Sequence, residues 1–202
     1  MFNLLNPGQS FLVLTAPEGA FRRYDGVQLI GQRRFARNWQ LLAAYTWSST
    51  RGIGPGAFAN PNNRINAEGP TPSDFRHQAS VQGVYQIPIW GGVSVSGDYS
   101  YLSGGAWGRT ATITGLRQGN LIVRIEPVGT RRTDPSSQVD LRVEKTFRVG
   151  SSGPTVGIYV DVFNLTNQGI ALGIIEASGG TFGTPSTWSS ARSARVAGRI
   201  KF

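Results

Sequence analysis

The sequence contains no cysteine and a single histidine among its 202 residues. It also has no apolar run of about eighteen residues, which excludes a membrane-spanning helix. The lack of cysteine excludes disulfide scaffolds and thiolate metal sites. Residues 1–10, MFNLLNPGQS, have neither the basic start nor the apolar stretch of a secretory signal, so we expect no signal peptide in this chain.

Catalytic chemistry also lacks its usual residues. His77, the one histidine, lies in SDFRHQA, where a long loop enters a strand, which is an ordinary place for a polar side chain. The acidic residues fall on different predicted strands, without the local clustering that a metal site needs. The glycine-rich segments carry no Gly-Lys-Ser/Thr of a phosphate-binding loop. We therefore predict that the protein is not an enzyme and has no metal or cofactor.

Glycine, aromatic residues and positive charge are present in quantity. Glycine accounts for 27 residues and aromatic residues for 10%, which is typical of a β-rich, turn-rich chain. Lys and Arg number 20 against 11 Asp and Glu, giving a net charge of +9. These cations are scattered, and no helix or known module carries them into a nucleic-acid groove. We predict no nucleic-acid partner and retain an anionic membrane surface as the candidate partner.

Apolar and polar residues alternate with a period of two in most of the chain. The last segment, RVAGRIKF, puts Val196, Ile200 and Phe202 on one face and basic residues on the other. This period fits a β-strand and no helix. It recurs often enough to predict about eight strands: 24–35, 39–48, 78–87, 93–101, 138–149, 155–163 and 195–202, with 11–15 as a weaker candidate. In 24–35 the alternation puts Val27, Leu29 and Phe35 on the apolar face.

The connections between these strands alternate strictly between short and long. The short ones span a few residues and are built on Asn, Pro, Gly and Ser, which favour tight turns. The long ones are predicted at 49–74, 102–136 and 164–189. An up-and-down meander with all its short turns at one end is typical of outer-membrane barrels. The fold class we predict is therefore all-β: an antiparallel transmembrane β-barrel segment of about eight strands, with short periplasmic turns and long extracellular loops.

Aromatic residues and charges follow the same two-faced pattern. Aromatic side chains fall near the two ends of the strands, as in the girdles of membrane barrels. They are Trp39, Tyr85, Trp90, Phe147 and Phe202 at the short-turn end, and Tyr45, Trp47, Tyr99 and Tyr101 at the long-loop end. Lys145 is the misfit on the apolar face, and we expect it to snorkel toward the interface. On the polar face we expect an ion network of Asp140, Arg142, Glu144 and Arg148.

Several segments together resemble the TonB-dependent outer-membrane receptors, particularly their Oar-like branch. The similar segments are YDGVQLIGQRRFARNWQLLAAYTWSSTRG (24–52), DFRHQASVQGVYQIP (74–88), VDLRVEKTFRVG (139–150), DVFNLTN (161–167) and the terminal RVAGRIKF. The resemblance implies a place in the outer membrane of a Gram-negative bacterium, in contact with its lipid. It also implies that Ile200 and Phe202 form the C-terminal signal that the barrel-assembly machinery reads.

The resemblance also shows which parts of such a receptor are missing. Family members have a signal peptide, an N-terminal plug domain that engages TonB and a barrel of 22 strands. We therefore expect residues 1–202 to be the C-terminal part of a barrel, with 1–20 a partial strand or loop and 21–202 the barrel strands. TonB would act only through the missing plug. The implied function is uptake of a bulky nutrient of the siderophore, oligosaccharide or peptide class, and the candidate loop contacts are Trp107, Arg109, Arg117, Arg131 and Arg132.

Two other readings remain open from the sequence. A free-standing eight-stranded barrel with an adhesin or structural role would need bulky, mutually paired residues inside. The predicted polar wall is flat, with Ser94, Ser96, Ser100 and Gly157, which favours a larger barrel. A soluble all-β domain would bury its apolar face and dissolve as a monomer without detergent. We expect aggregation in water instead, because a lipid-facing wall with unpaired edge strands exposes both apolar surface and backbone groups.

Overall fold

The structure is a computed structural model that describes residues 1–6, 8–9, 17–151 and 153–202. Its seven long strands are Phe21–Ala36 (β1), Trp39–Ile53 (β2), His77–Ile87 (β3), Val93–Leu102 (β4), Ser136–Arg148 (β5), Thr155–Phe163 (β6) and Ser193–Lys201 (β7). Its short strands are Gly69–Pro70, Ala106–Trp107, Thr110–Ile113, Leu121–Arg124, Arg131–Arg132, Ala171–Ile174 and Pro185–Trp188. Short 3-10 helices are Pro55–Phe58, Pro61–Arg64 and Pro88–Trp90. Among the described residues, no helix has the length and apolar character to cross a membrane.

The long strands form one antiparallel sheet in which spatial order follows chain order from β1 to β7. This confirms an all-β, antiparallel meander. The described chain has fourteen strands rather than about eight, because the long loops form short ladders of their own. Within the described residues β1 and β7 are the two edges of an open sheet, so no closed barrel is present. The weaker strand candidate at 11–15 lies outside the described residues.

Short turns join the strands at one end of the sheet. Between β1 and β2, Arg37 and Asn38 have φ values of 52° and 69°, which is the left-handed pair that a two-residue hairpin needs. The β3–β4 turn continues from its 3-10 helix through Gly91 and Gly92, both with positive φ. The β5–β6 connection lies between Arg148 and Thr155. Chain direction therefore places the three remaining connections at the opposite end.

The long loops begin and end a few residues away from the predicted bounds. β2 runs to Ile53, which pairs with Phe21 of β1, although the polar segment from Ser49 onward was predicted to be loop. Backbone hydrogen bonds to a long neighbouring strand extend β2 regardless of its side chains. The long loops are therefore 54–76 (loop 1), 103–135 (loop 2) and 164–192 (loop 3).

The register aligns the apolar residues of neighbouring strands into rows on one face. One row crosses six strands and consists of Trp39, Tyr85, Val95, Val143, Val160 and Val196. Large apolar side chains of this face are exposed, and the buried apolar residues among those described all lie in the long loops: Ala106, Val123, Val128 and Ile170. A soluble sandwich would cover this face with a second sheet. In the described chain, no layer packs on it.

A β-bulge reverses one predicted orientation. The β1–β2 register shifts between Arg33 and Ala36, so that Ala36 pairs with Trp39 on the apolar face. Alternation then places Phe35 on the polar face, where it lines a cleft. The prediction that Phe35 shares the face of Val27 was wrong, because a bulge adds one residue and inverts the alternation beyond it.

Two cations on the apolar face lie at the short-turn end. Lys145 Nζ donates to Trp90 O at 2.8 Å and also to Gly91 O, which confirms that its ammonium extends to the turn. The Arg33 guanidinium lies 4.0 Å from the ring centroid of Trp39, within cation–π range. Both charges therefore avoid the middle of the apolar band.

Candidate functional site

The polar face of the sheet is a wall of amide, hydroxyl and charged side chains. The register across neighbouring strands aligns Gln32 of β1 with Gln82 of β3. It also aligns Ile30 of β1, through Ala44 of β2, with Ser80 of β3 and Ser100 of β4. A cleft of about 630 Å³ lies against this wall and is lined by Gln32, Gln40, Gln82, Asp98, Asp140 and Arg142 among others. In a larger barrel such a surface would face the aqueous lumen.

Asp161 of β6 is the centre of an ion triad on this wall. The register places it directly between Arg142 of β5 and Arg195 of β7. Arg142 donates to the two carboxylate oxygens at 2.6 and 3.2 Å, and Arg195 donates to Oδ2 at 2.6 and 3.1 Å. Asp161 is buried beneath these two guanidinium groups. The triad therefore ties the last three strands together through charge-assisted hydrogen bonds.

A second ion pair crosses a whole strand. Arg199 of β7 reaches Glu144 Oε1 of β5 at 2.6 Å, passing over Gly157 of β6. A Cβ on Gly157 would lie 2.7 Å from Glu144 Oε1 and 3.3 Å from Arg199 Cγ, so the missing side chain leaves room for the contact. The expected network therefore includes Arg142 and Glu144, but their partners come from β6 and β7.

The other two members of the expected network have different surroundings. Asp140 accepts from Gln138 Nε2 at 3.0 Å and from the backbone N–H of Asn164 at 2.8 Å. Arg148 lines a cavity near the chain end with Lys201 and Phe202. Periodicity gave the face of each residue, whereas the strand register decided which charges meet.

At the opposite end, loops 2 and 3 form a cluster of aromatic rings and arginines. Trp107 and Phe182 have ring centroids 5.8 Å apart. The guanidinium groups of Arg109 and Arg131 lie 4.4 and 5.1 Å from the Phe182 ring centroid. Trp107, Arg109 and Arg131, three of the candidate contacts, are thus brought together by Phe182, which the sequence did not single out.

Glu126 is the carboxylate of this cluster. Its Oε2 accepts from Arg131 Nε at 2.8 Å and from the backbone N–H of Arg109 at 3.2 Å. The hydrogen bond from Arg131 holds the pKa of the Glu126 carboxyl below its ordinary value, and the backbone N–H of Arg109 acts in the same direction. One carboxylate is shared between two arginines, which leaves the cluster with excess positive charge.

Arg132 has a different position from its neighbour Arg131. Its guanidinium pairs with the Asp74 carboxylate and donates to the backbone oxygens of Asp74 and Gly104 at 2.7 and 2.9 Å. Asp74 is 1% exposed and also accepts from the Thr50 N–H at 2.6 Å. Arg132 therefore connects loop 2 to loop 1 and to the end of β2.

Arg117, the remaining candidate contact, lies beside the N-terminal residues. Its backbone N–H donates to Asn3 Oδ1 at 3.1 Å. The neighbouring Gln118 and the buried Asn62 hydrogen-bond the main chain of the same segment. The sequence gave no signal for this contact, because it joins residues about 60 and 115 positions apart.

Residues of all three loops also line an open cavity of about 600 Å³. It is lined by Gly54, Ala57, Asn63, Ile122, Arg124 and Glu176 among others. The Arg124 guanidinium and the Glu176 carboxylate are 3.9 Å apart. Across the described ranges, no three acidic or histidine side chains lie close enough together to hold a metal ion.

The chain end and the lone histidine complete the candidate positions. Ile200 pairs with Val156 on the apolar face, and Phe202 is fully exposed beyond β7. His77 Nδ1 lies 2.8 Å from Tyr45 Oη at the long-loop end of the sheet. The two rings are stacked at the aromatic girdle.

Known proteins resemble this chain in sequence. The family described as "Outer membrane beta barrel domain" matches residues 3–123, more than half of the chain. The TonB-dependent transporter Oar of Myxococcus xanthus is 30% identical over 188 residues. That similarity covers 82% of this chain and 17% of the relative, so the chain spans a small part of the length of the curated relative that it matches.

Proposed function

Because this chain belongs to the outer membrane β-barrel domain family, we propose that it is the C-terminal barrel wall of a receptor that takes up a bulky nutrient in a TonB-dependent way. Its location is the outer membrane, and it is a barrel portion of an Oar-like receptor. The proposal extends to the orientation, with the short turns in the periplasm and loops 1 to 3 outside. The role is one of transport and not of catalysis.

The open sheet is the observation that carries the proposal. One face presents apolar rows that suit lipid, and the other presents the glutamines, serines and ion pairs that suit water. β1 and β7 each leave an edge of backbone groups that a bilayer cannot satisfy. Further strands on both edges would pair those groups and complete a wide barrel.

The spacing of the aromatic girdles supports this orientation. Trp39 begins β2, and Trp47 lies eight residues further along the strand on the same apolar face. Eight residues at about 3.3 Å each give roughly 26 Å along the strand, and a tilt of about 40° reduces this to roughly 20 Å across the membrane. This height is close to the apolar band of an outer-membrane barrel, about 25 Å.

We propose a different binding partner for each end of the sheet. We propose that the aromatic and cationic cluster of Trp107, Arg109 and Arg131 helps to capture substrate outside the cell. At the other end, Ile200 and Phe202 would be read by the barrel-assembly machinery. TonB would act through a plug that lies outside this chain. The nutrient belongs to the siderophore, oligosaccharide or peptide class.

The mass of the native product tests this proposal directly. An antibody raised against loop 2 is used to probe isolated outer membranes. A band several times heavier than 21.8 kDa is expected, because a receptor also needs a plug and the remaining strands. A band at 21.8 kDa would instead indicate a free-standing small barrel and overturn the import proposal. Binding of the antibody to intact cells checks that loop 2 is outside.

A further inference from the structure

The N-terminal residues are held by two side-chain amides from different loops. Asn62 Oδ1 accepts the Phe2 N–H at 2.8 Å, while Asn62 Nδ2 donates to Phe2 O at 2.9 Å. Gln118 Nε2 donates to the same Phe2 O at 3.1 Å, and Gln118 Oε1 accepts the Leu4 N–H at 3.0 Å. Four hydrogen bonds therefore fix the main chain of residues 2–4.

The side chains of this segment contribute little to its recognition. Phe2 is 64% exposed and Leu4 is 43% exposed, although their backbone groups are bound. Within the described residues, one hydrogen bond involves a side chain of this segment, in which Asn3 Oδ1 accepts the Arg117 N–H at 3.1 Å. The hydrogen bonds are made to backbone groups of residues 2 and 4, and residues two apart share one side of an extended chain. The arrangement recognises an extended backbone with a short acceptor side chain in the middle.

The whole side-chain amide of Asn62 is used to hold the segment. Asn62 is 1% exposed, and both ends of its amide bond the Phe2 backbone. A buried amide without partners costs about 1–3 kcal/mol. Its backbone is fixed by the 3-10 helix Pro61–Arg64, where Asn60 caps the Asn62 N–H at 2.9 Å. The amide is thus held in place for a bidentate partner.

We infer that Asn62 and Gln118 form a binding site for the main chain of an extended peptide, which residues 2–4 of this chain occupy in the structure. The inference rests on the proposed function, because it names the substrate class of the capturing loops as peptides. A peptide backbone offers the N–H and C=O pair that each amide uses, at the two-residue period of the contacts. The backbone of a glycan, which is joined through glycosidic oxygens, carries no such repeating pair.

The attached segment competes with any free peptide, because a tethered ligand has a high effective concentration. The variant Phe2→Pro/Leu4→Pro removes both N–H donors of the segment, since proline has none, and leaves the loops intact. The native product, extracted from outer membranes in detergent, is titrated with a fluorescent peptide of sequence Phe-Asn-Leu-Leu by fluorescence anisotropy. We expect the double-proline variant to bind this peptide at least tenfold more tightly than the unchanged protein.

Matched peptides and variants separate backbone recognition from general adhesion. A peptide N-methylated at its Phe and first Leu nitrogens, which correspond to residues 2 and 4, keeps all side chains and is expected to bind at least tenfold more weakly. Ala-Asn-Ala-Ala is expected to bind within about threefold of the original peptide. In the double-proline background, Gln118→Glu and Asn62→Asp are each expected to weaken binding at least tenfold. Asn63→Asp is the control, because the Asn63 amide donates to Gly56 O instead of the segment.

Either of two results overturns the inference: no peptide binding to the folded double-proline variant, or equal binding of the N-methylated peptide. Gln118→Glu guards against a folding artefact, because Gln118 is only partly buried in a surface loop. The test is also separable from the receptor proposal. A native product of 21.8 kDa that still binds the peptide would remove the import function and retain the site. A heavy product that does not bind the peptide would retain the import function and remove the site.

Discussion

Arg132 of loop 2 pairs with Asp74 of loop 1, a carboxylate that is almost completely buried. The same carboxylate accepts the Thr50 N–H at the end of β2. The position of loop 2 and the end of β2 thus both depend on one acid. Arg132 stood among the candidate ligand contacts, and its guanidinium is directed into the protein.

Asp74→Ala is expected to release loop 2 from loop 1. It leaves the Arg132 guanidinium and the Thr50 N–H without their partner, which costs about 3 kcal/mol for a largely buried ion pair. Limited proteolysis of outer membranes is expected to cut loops 1 and 2 at least tenfold faster. Asp25→Ala is the control, because Asp25 and Arg23 form an exposed pair. Unchanged cleavage of Asp74→Ala would exclude the connecting role.

Asp161→Asn is expected to destabilise the sheet by about 1–3 kcal/mol, because Arg142 and Arg195 then face each other without the charge between them. Asp98→Asn is the matched comparison on the same face. Asp98 pairs directly with Asp140, so removing one of two opposed carboxylates is expected to be neutral or to stabilise by about 0.2–1 kcal/mol. Urea unfolding in lipid vesicles measures both variants. Equal losses for the two would contradict the triad.

Gly157→Val is expected to break the ion pair between Glu144 and Arg199. The new Cβ lies within 2.7 Å of Glu144 Oε1, so the carboxylate must move away and the pair separates. We expect a loss of about 1–3 kcal/mol in the same urea experiment. Gly31→Val is the control on the apolar face, where no atom lies within 4 Å, and its effect is expected to be neutral or stabilising.

Val160→Arg tests which face meets lipid. Val160 lies in a row of apolar residues in the middle of the sheet, and an arginine there is expected to cost about 2–4 kcal/mol in a bilayer. Ser96→Arg places the same side chain on the polar wall of β4 and is expected to cost less than about 1 kcal/mol. Folding into vesicles, followed by the urea midpoint, compares the two. A larger loss of stability for Ser96→Arg than for Val160→Arg would indicate that the polar face meets lipid.

The pair of Glu126 and Arg131 is expected to respond to acid. The Glu126 pKa is lowered in the folded protein, so the stabilisation is complete above its ordinary value of 4.5 and is lost as the pH falls through the lower folded value. The Arg131 guanidinium lies 5.6 Å from the Trp107 ring centroid, so Trp107 fluorescence reports the change. We expect a transition below pH 4.5 that is absent in Glu126→Gln. A transition that persists in Glu126→Gln would assign it to another group.

The sequence predicted the parts of the fold that arise from local pattern. The alternation in 93–101 and 195–202 identified strands and the face of each residue, because successive side chains of a strand point to opposite sides. Asparagine marked the turn at Asn38, where a left-handed backbone closes a two-residue hairpin. The short turns also predicted three of the pairs of neighbouring strands, because consecutive strands joined by such turns lie side by side.

Local pattern could not predict what register and distant contacts decide. The bulge near Phe35 inverted a face, since one extra residue is invisible to a two-residue period. Register paired Arg142 with Asp161 instead of with the acids of its own strand. The hydrogen bond between Phe2 and Asn62 joins segments 60 residues apart, and no sequence period extends that far. The sequence by itself thus determined the strands and their two faces, whereas only the tertiary structure decided which side chains meet, because those contacts depend on how separate segments align in space.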